Sequence, residues 1–98
     1  MTEIKFLPQA VEFLKKIEDA DLKMLYREAV DRICENEMAG EPETGDLSGV
    51  YRYGLYYNQI NYELAYVVEY LEHKVIVVIT AGPREHFYEQ LKRYGVQR

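Results

Sequence analysis

The spacing of apolar positions changes its rhythm twice along the chain. "EIKFL", Glu3 to Leu7, alternates polar and apolar and predicts a short strand. Pro8 suits the first turn of a helix, where its missing N–H leaves nothing unpaired. Ala10, Val11, Leu14 and Ile17 then recur at helical spacing. "EDAD", Glu18 to Asp21, interrupts the pattern and offers carboxylates for an N-cap. A second helix follows, with Leu22, Leu25, Tyr26, Ala29 and Ile33 on one face. Two apolar-faced helices joined by so short a break predict a helical hairpin. "AGEPETGDLSG", Ala39 to Gly49, carries three Gly and one Pro and reads as a long loop.

Beyond that loop the period falls from 3.6 to 2. "VYRYGLYY", Val50 to Tyr57, sets Tyr51, Tyr53, Leu55 and Tyr57 on one face and Arg52, Gly54 and Tyr56 on the other. "NQIN", Asn58 to Asn61, predicts a turn. In the next strand Ile60, Tyr62, Leu64, Tyr66, Val68 and Tyr70 share a face, with Asn61, Glu63, Ala65, Val67 and Glu69 opposite. Glu72, His73 and Lys74 make a second turn. Val75 to Ile79 is apolar on both faces, as a central strand must be. The predicted order is β-α-α-β-β-β-α, an α+β fold in one domain over residues 1–98. The last three strands form an antiparallel meander. The helical hairpin covers one sheet face, and the first strand joins the central strand.

The period returns to helical near the end. Gly82 and Pro83 read as N-cap and first position of a helix running to about Tyr94. Phe87, Leu91 and Tyr94 form its docking face. Arg84, Tyr88 and Lys92 line its flank, and His86 points away. On this reading Arg84 sits in a first helical turn, where a cation opposes the helix dipole. The same place favours phosphate, which an arginine can grip with two N–H groups. The competing reading is an exposed arginine paired with a nearby carboxylate, and local physics alone favours it.

Composition narrows the class. Ninety-eight residues, 48% hydrophobic and 30% charged, describe one small globular domain. The single Cys34 excludes an internal disulfide or a cysteine zinc site and suits a reducing cytoplasm. Met1, Thr2 and Glu3 begin no signal peptide, and no apolar run reaches the roughly 20 residues of a membrane span. The net charge of −5 argues against nucleic acid as the default partner. It is unevenly spread: residues 1–49 hold 12 acids and 6 bases, a net of −6, and residues 50–98 hold 5 acids and 6 bases, a net of +1. A local cationic site therefore fits the second half. Seven of the ten tyrosines lie between Tyr51 and Tyr70, which raises base stacking as a use for some of them. Tyr26, Tyr62, Tyr66 and Tyr70 are expected in or beside the core, and Cys34 in packing. His73 is expected in solvent, and neither histidine has metal-ligand spacing.

With "LSGVYRYGLYYNQINYELAYVVE" and "VIVVITAGPREHFYEQLKRY" in view, the chain resembles the RelE/ParE superfamily of bacterial type II toxin–antitoxin toxins. The likeness spans nearly the whole chain. It lies in the element order, in a leucine-x-glycine leading into strand, turn and strand, and in a closing strand followed by Gly-x-Arg and a nearby tyrosine. The resemblance implies a RelE-like sheet and a toxin that cleaves mRNA on the ribosome without metal or cofactor. It also implies a cognate antitoxin as partner. Carried over by position, Arg84 matches the arginine after the last strand, Tyr88 the tyrosine after it, and Arg52 a basic residue of the first meander strand. A ParE-like inhibitor of DNA gyrase, or a member without toxicity, are the other readings. Three departures bear on the choice: the acidic charge, a single base on the first meander strand, and Glu63 where nucleases carry arginine.

Cleavage through the ribose 2′-hydroxyl needs a base, an acid and a cation. Arg84 is the first candidate for the cation and Arg52 the second. His86 and Tyr88 are candidates for proton transfer. Tyr51, Tyr53 and Lys92 are candidates for RNA contact, with Tyr57 as a further stacking surface. Glu63 reads as a general base or as an outward polar strand position, with the outward position favoured. The strand 50–57 is expected at a sheet edge, open to a strand from the antitoxin.

Overall fold

The computed structural model describes residues 2–70, 72–85 and 87–95. In chain order the elements are β1 (Glu3–Phe6), α1 (Pro8–Lys15), α2 (Ala20–Glu35), β2 (Glu41–Pro42), a 3-10 turn (Gly45–Leu47), β3 (Tyr51–Tyr57), β4 (Ile60–Tyr70), β5 (Lys74–Pro83) and α3 (Phe87–Gly95). The five strands form one mixed sheet in the order β1-β5-β4-β3-β2. β1 runs parallel to β5, and the other pairs are antiparallel. The predicted order therefore holds, with β2 added from within the loop.

Local chemistry explains most boundaries. Pro8 opens α1 as expected. Asp19 caps α2, its carboxylate accepting from the backbone N–H groups of Asp21 and Leu22. Asn58 and Gln59 both take positive φ, 51° and 64°, which makes the β3–β4 connection a two-residue hairpin turn whose twist matches the strands.

The sheet is covered on both faces. On one, α1 and α2 bury Ala10, Leu22, Tyr26 and Ile33 against Leu64, Tyr66, Ile76, Val78 and Ala81. On the other, Phe87 and Leu91 of α3 join Leu47, Val50, Ala65, Val67 and Ile79. This second core explains why β4 and β5 are apolar on both faces: they are the central strands of a three-layer arrangement.

The closing segment differs from the predicted helix. Gly82 and Pro83 do not start α3. They end β5, opposite Glu63 and Tyr62, and the helix begins at Phe87. Proline is tolerated there because it lies at the end of the strand, where the ladder needs no N–H from it. The ladder then continues through Arg84, whose N–H donates to the Asn61 carbonyl at 2.8 Å. The expected edge also moved. β3 is flanked by β2, so the N-terminal part of β3 is already paired.

Candidate functional site

β3, β4 and the residue after β5 bring three ionic side chains together. Glu63 stands at the middle of this group and is wholly buried. Its Oε1 accepts from Arg52 Nη1 at 2.9 Å and from Arg84 Nε at 3.0 Å. The outward, solvated position expected for Glu63 is therefore incorrect. Alternation set its face correctly, opposite Leu64, but that face carries the second layer of the molecule.

Two glycines make room for the carboxylate. Gly54 of β3 and Gly82 of β5 lie directly across from Glu63, so neither neighbouring strand sets a side chain directly opposite it. The Gly82 position depends on a bulge. β4 and β5 are in register from Tyr70↔Lys74 to Tyr66↔Val78, and then Ala65 pairs with Thr80, leaving Ile79 over. An unbulged ladder would set Ala81 against Glu63. The extra residue sets Gly82 there and advances Arg84 by one place.

Arg52 is saturated. Its Nε donates to Glu43 Oε1 at 2.9 Å, its Nη2 to Glu41 Oε2 at 3.1 Å, and its Nη1 to Glu63. The hydrogen bond to Glu43 leads in pushing the Arg52 pKa further above its ordinary value, with Glu63 adding to it against the opposing effect of desolvation. The Arg52 guanidinium also lies 6.0 Å from the Tyr88 ring centre. β2 contributes here: pairing Glu41 with Arg52 in register brings the Glu41 carboxylate alongside the guanidinium.

Arg84 is held differently. Among the described residues only its Nε is engaged, and 54% of its side chain is exposed. Its terminal nitrogens have no partner among the described residues. It lines an open pocket of about 340 Å³ with Ala39, Glu41, Arg52, Tyr53 and Gly54. A larger hollow of about 550 Å³ lies at the β1–α1 corner, among Phe6, Pro8, Val11, Glu12, Lys15 and Lys16. It offers no comparable convergence of acid, base and cation.

One polar atom stands out. Glu63 Oε2 is buried and has no hydrogen-bond partner among the described residues. A buried carboxylate oxygen left unpaired costs stability, and such atoms are uncommon enough to call for a reason.

The other expected residues divide. Tyr88 is part-exposed on the first turn of α3 beside Arg52, and Lys92 is exposed one turn further on. Tyr51 and Tyr53 pack against the α1/α2 core. Tyr51 stacks on Tyr66 at 5.3 Å, away from the arginine cluster. Tyr57 also turns to that face, and its hydroxyl donates to Asp19 Oδ2 at 2.7 Å. Tyr26 is core, with its hydroxyl donating to the Glu63 carbonyl at 3.1 Å. Tyr66 is fully buried and Tyr70 is exposed. His73 faces solvent and pairs with Glu3 at 2.6 Å. His86 lies outside the described residues. Among the described residues no cluster of metal-ligating side chains occurs, and no helix is long and apolar enough to cross a membrane.

Comparison with known proteins agrees with this architecture. Residues 4–92 match the model of a family described as the ParE-like toxin of type II bacterial toxin–antitoxin systems. Among solved structures, the free Escherichia coli toxin RelE, as a double arginine-to-alanine mutant, superposes with a TM-score of 0.73 at 18% identity, over 98% of this chain and 95% of that one. The RelBE2 toxin–antitoxin complex from Mycobacterium tuberculosis gives a TM-score of 0.64 at 20% identity, over 84% and 96%. The E. coli RelE mutant bound to a peptide of the antitoxin RelB gives 0.60 at 20% identity, over 90% and 92%. No curated protein sequence matches the chain. The fold is that of RelE, and the chain belongs to the ParE-like toxins of type II bacterial toxin–antitoxin systems.

Proposed function

We propose that this toxin is a metal-independent endoribonuclease that cleaves mRNA on the ribosome and is silenced by a cognate antitoxin. The carrying observation is the half-exposed Arg84, fixed at Nε and lining an open pocket. In the reaction the ribose 2′-hydroxyl attacks the adjacent phosphorus, the 5′ oxygen leaves, and negative charge grows on the equatorial oxygens. Arg84 stabilises that charge. Proton transfer falls to Tyr88 and to His86, since Glu63 is buried with both arginines on one oxygen. The solved RelE-fold complexes that contain antitoxins support the antitoxin partner.

A second reading has its own observation. Arg52 and Arg84 carry +2 and Glu41, Glu43 and Glu63 carry −3, so the cluster is net −1 and offers RNA little attraction beyond Arg84. That balance suits a toxin acting by binding, such as a DNA gyrase inhibitor. Inducing the chain in cells and mapping mRNA 5′ ends separates the two. Codon-phased cleavage that vanishes in Arg84→Ala is the expected result. Growth arrest with intact mRNA and a DNA-damage response would replace it with gyrase inhibition. No arrest would identify a member without toxicity.

A further inference from the structure

We infer that Glu63 is the positioning residue of this site, and that it divides the labour of the two arginines: Arg52 holds Glu63, and Glu63 holds Arg84 ready for a phosphate. The inference rests on the phosphodiester reading above. Each of the three Arg52 nitrogens already donates to a carboxylate, so Arg52 is the more heavily committed of the two arginines. It fixes the Glu63 carboxylate from the β3 side. Arg84 approaches the same oxygen from the other side and commits only Nε. An arginine gripped at Nε leaves both terminal nitrogens as a fork, the geometry that meets two phosphate oxygens at once. A half-exposed arginine without an anchor would sample many rotamers and lose that freedom on binding. Anchoring removes the loss beforehand.

Glu63 makes poor sense as a stability device alone. It is wholly buried, its Oε2 has no partner among the described residues, and it lies between two glycines. Buried ion pairs seldom outdo the hydrophobic residues that could replace them. Presenting Arg84 accounts for what the placement costs.

The test uses the full chain labelled with nitrogen-15. The Arg84 Nε–H signal is identified by its loss in Arg84→Lys. In the wild type it exchanges slowly with solvent, and a short oligouridine RNA binds in an Arg84-dependent manner. In Glu63→Gln, with the backbone amide spectrum retained, exchange speeds by about tenfold and RNA affinity falls by about tenfold, as expected for one charge-assisted hydrogen bond. An unchanged Nε–H signal, or unchanged or tighter RNA binding in that variant, overturns the inference. Should Glu63→Gln fail to fold, Arg84→Lys decides. It keeps the charge without the fork, so it must lose affinity as fully as Arg84→Ala, and wild-type affinity there overturns the inference. If the wild type binds no RNA, the endoribonuclease reading falls, while the Nε–H exchange still decides the anchoring by itself.

Discussion

At the scale of single residues, the same sequence pattern produced one clear outcome and one surprise. Asp19 was legible as a helix cap because capping depends on a residue and its next three neighbours. Its side-chain partner was not, since Tyr57 arrives from 38 residues away. The Tyr57 hydroxyl leads in holding the Asp19 carboxyl below its usual range, and Asp19 in turn pushes the Tyr57 hydroxyl up to about 12. The signs give two pH windows. Asp19 has a depressed folded pKa, so its contribution is present above the unfolded value near about 4 and disappears as pH falls through the folded value. Tyr57 has a raised folded pKa, so its contribution is complete below about 10 and is lost as pH rises through the folded value. Urea midpoints followed from acid to alkaline pH should therefore fall at both ends, and Tyr57→Phe should flatten both falls. Glu63 shows the limit of the same reasoning. Alternation assigned its face, but whether that face meets water or α3 is a property of the layers above it.

At the scale of elements, the long loop 39–49 hides more structure than its Gly and Pro content announced. Gly40 is required there. Its N–H donates to the Tyr66 hydroxyl at 2.9 Å, and a Cβ would stand 2.9 Å from that hydroxyl and 3.0 Å from the Arg52 carbonyl oxygen. Backbone cannot yield as a side chain can. Gly40→Ala should cost about 1–3 kcal/mol in urea unfolding and loosen β2 together with the Glu43 that follows it, seen as faster exchange of the Glu41, Glu43 and β3 amides. Helices α1 and α2 were legible because each carries an apolar stripe with a start signal. The start of α3 was not. Gly-Pro is a common helix opening, and the backbone pairing that keeps Gly82 and Pro83 in β5 involves Glu63 and Tyr62, about twenty residues earlier. The bulge at Ile79 is equally silent, because a run apolar on both faces reads the same with or without an extra residue.

At the scale of the whole molecule, β4 and β5 belong to both cores. Leu64, Tyr66, Ile76 and Val78 face α1 and α2, while Ala65, Val67 and Ile79 face α3. Loosening either face exposes the same two strands, so the described layers should unfold together. Far-ultraviolet circular dichroism and tyrosine fluorescence should report one coincident urea transition, and two separated transitions would show that the layers are independent. The uneven charge finds part of its explanation here. Glu41 and Glu43 come from the acidic first half and bind Arg52 of the second, so the fold neutralises one of the cations that the charge count left available.

By itself the sequence determined the types of the major elements, the antiparallel meander, the place of the first strand beside the central one and the faces of the alternating residues. These follow from periodicity, capping and turn chemistry, which act over a few neighbouring positions. Only the tertiary structure decided that Glu63 is buried, that one of its oxygens joins Arg52 to Arg84, and that among the described residues Arg84 is held at Nε while Arg52 donates from all three nitrogens. Those facts depend on strand register, one bulge and the covering of the second sheet face, and long-range packing sets all three.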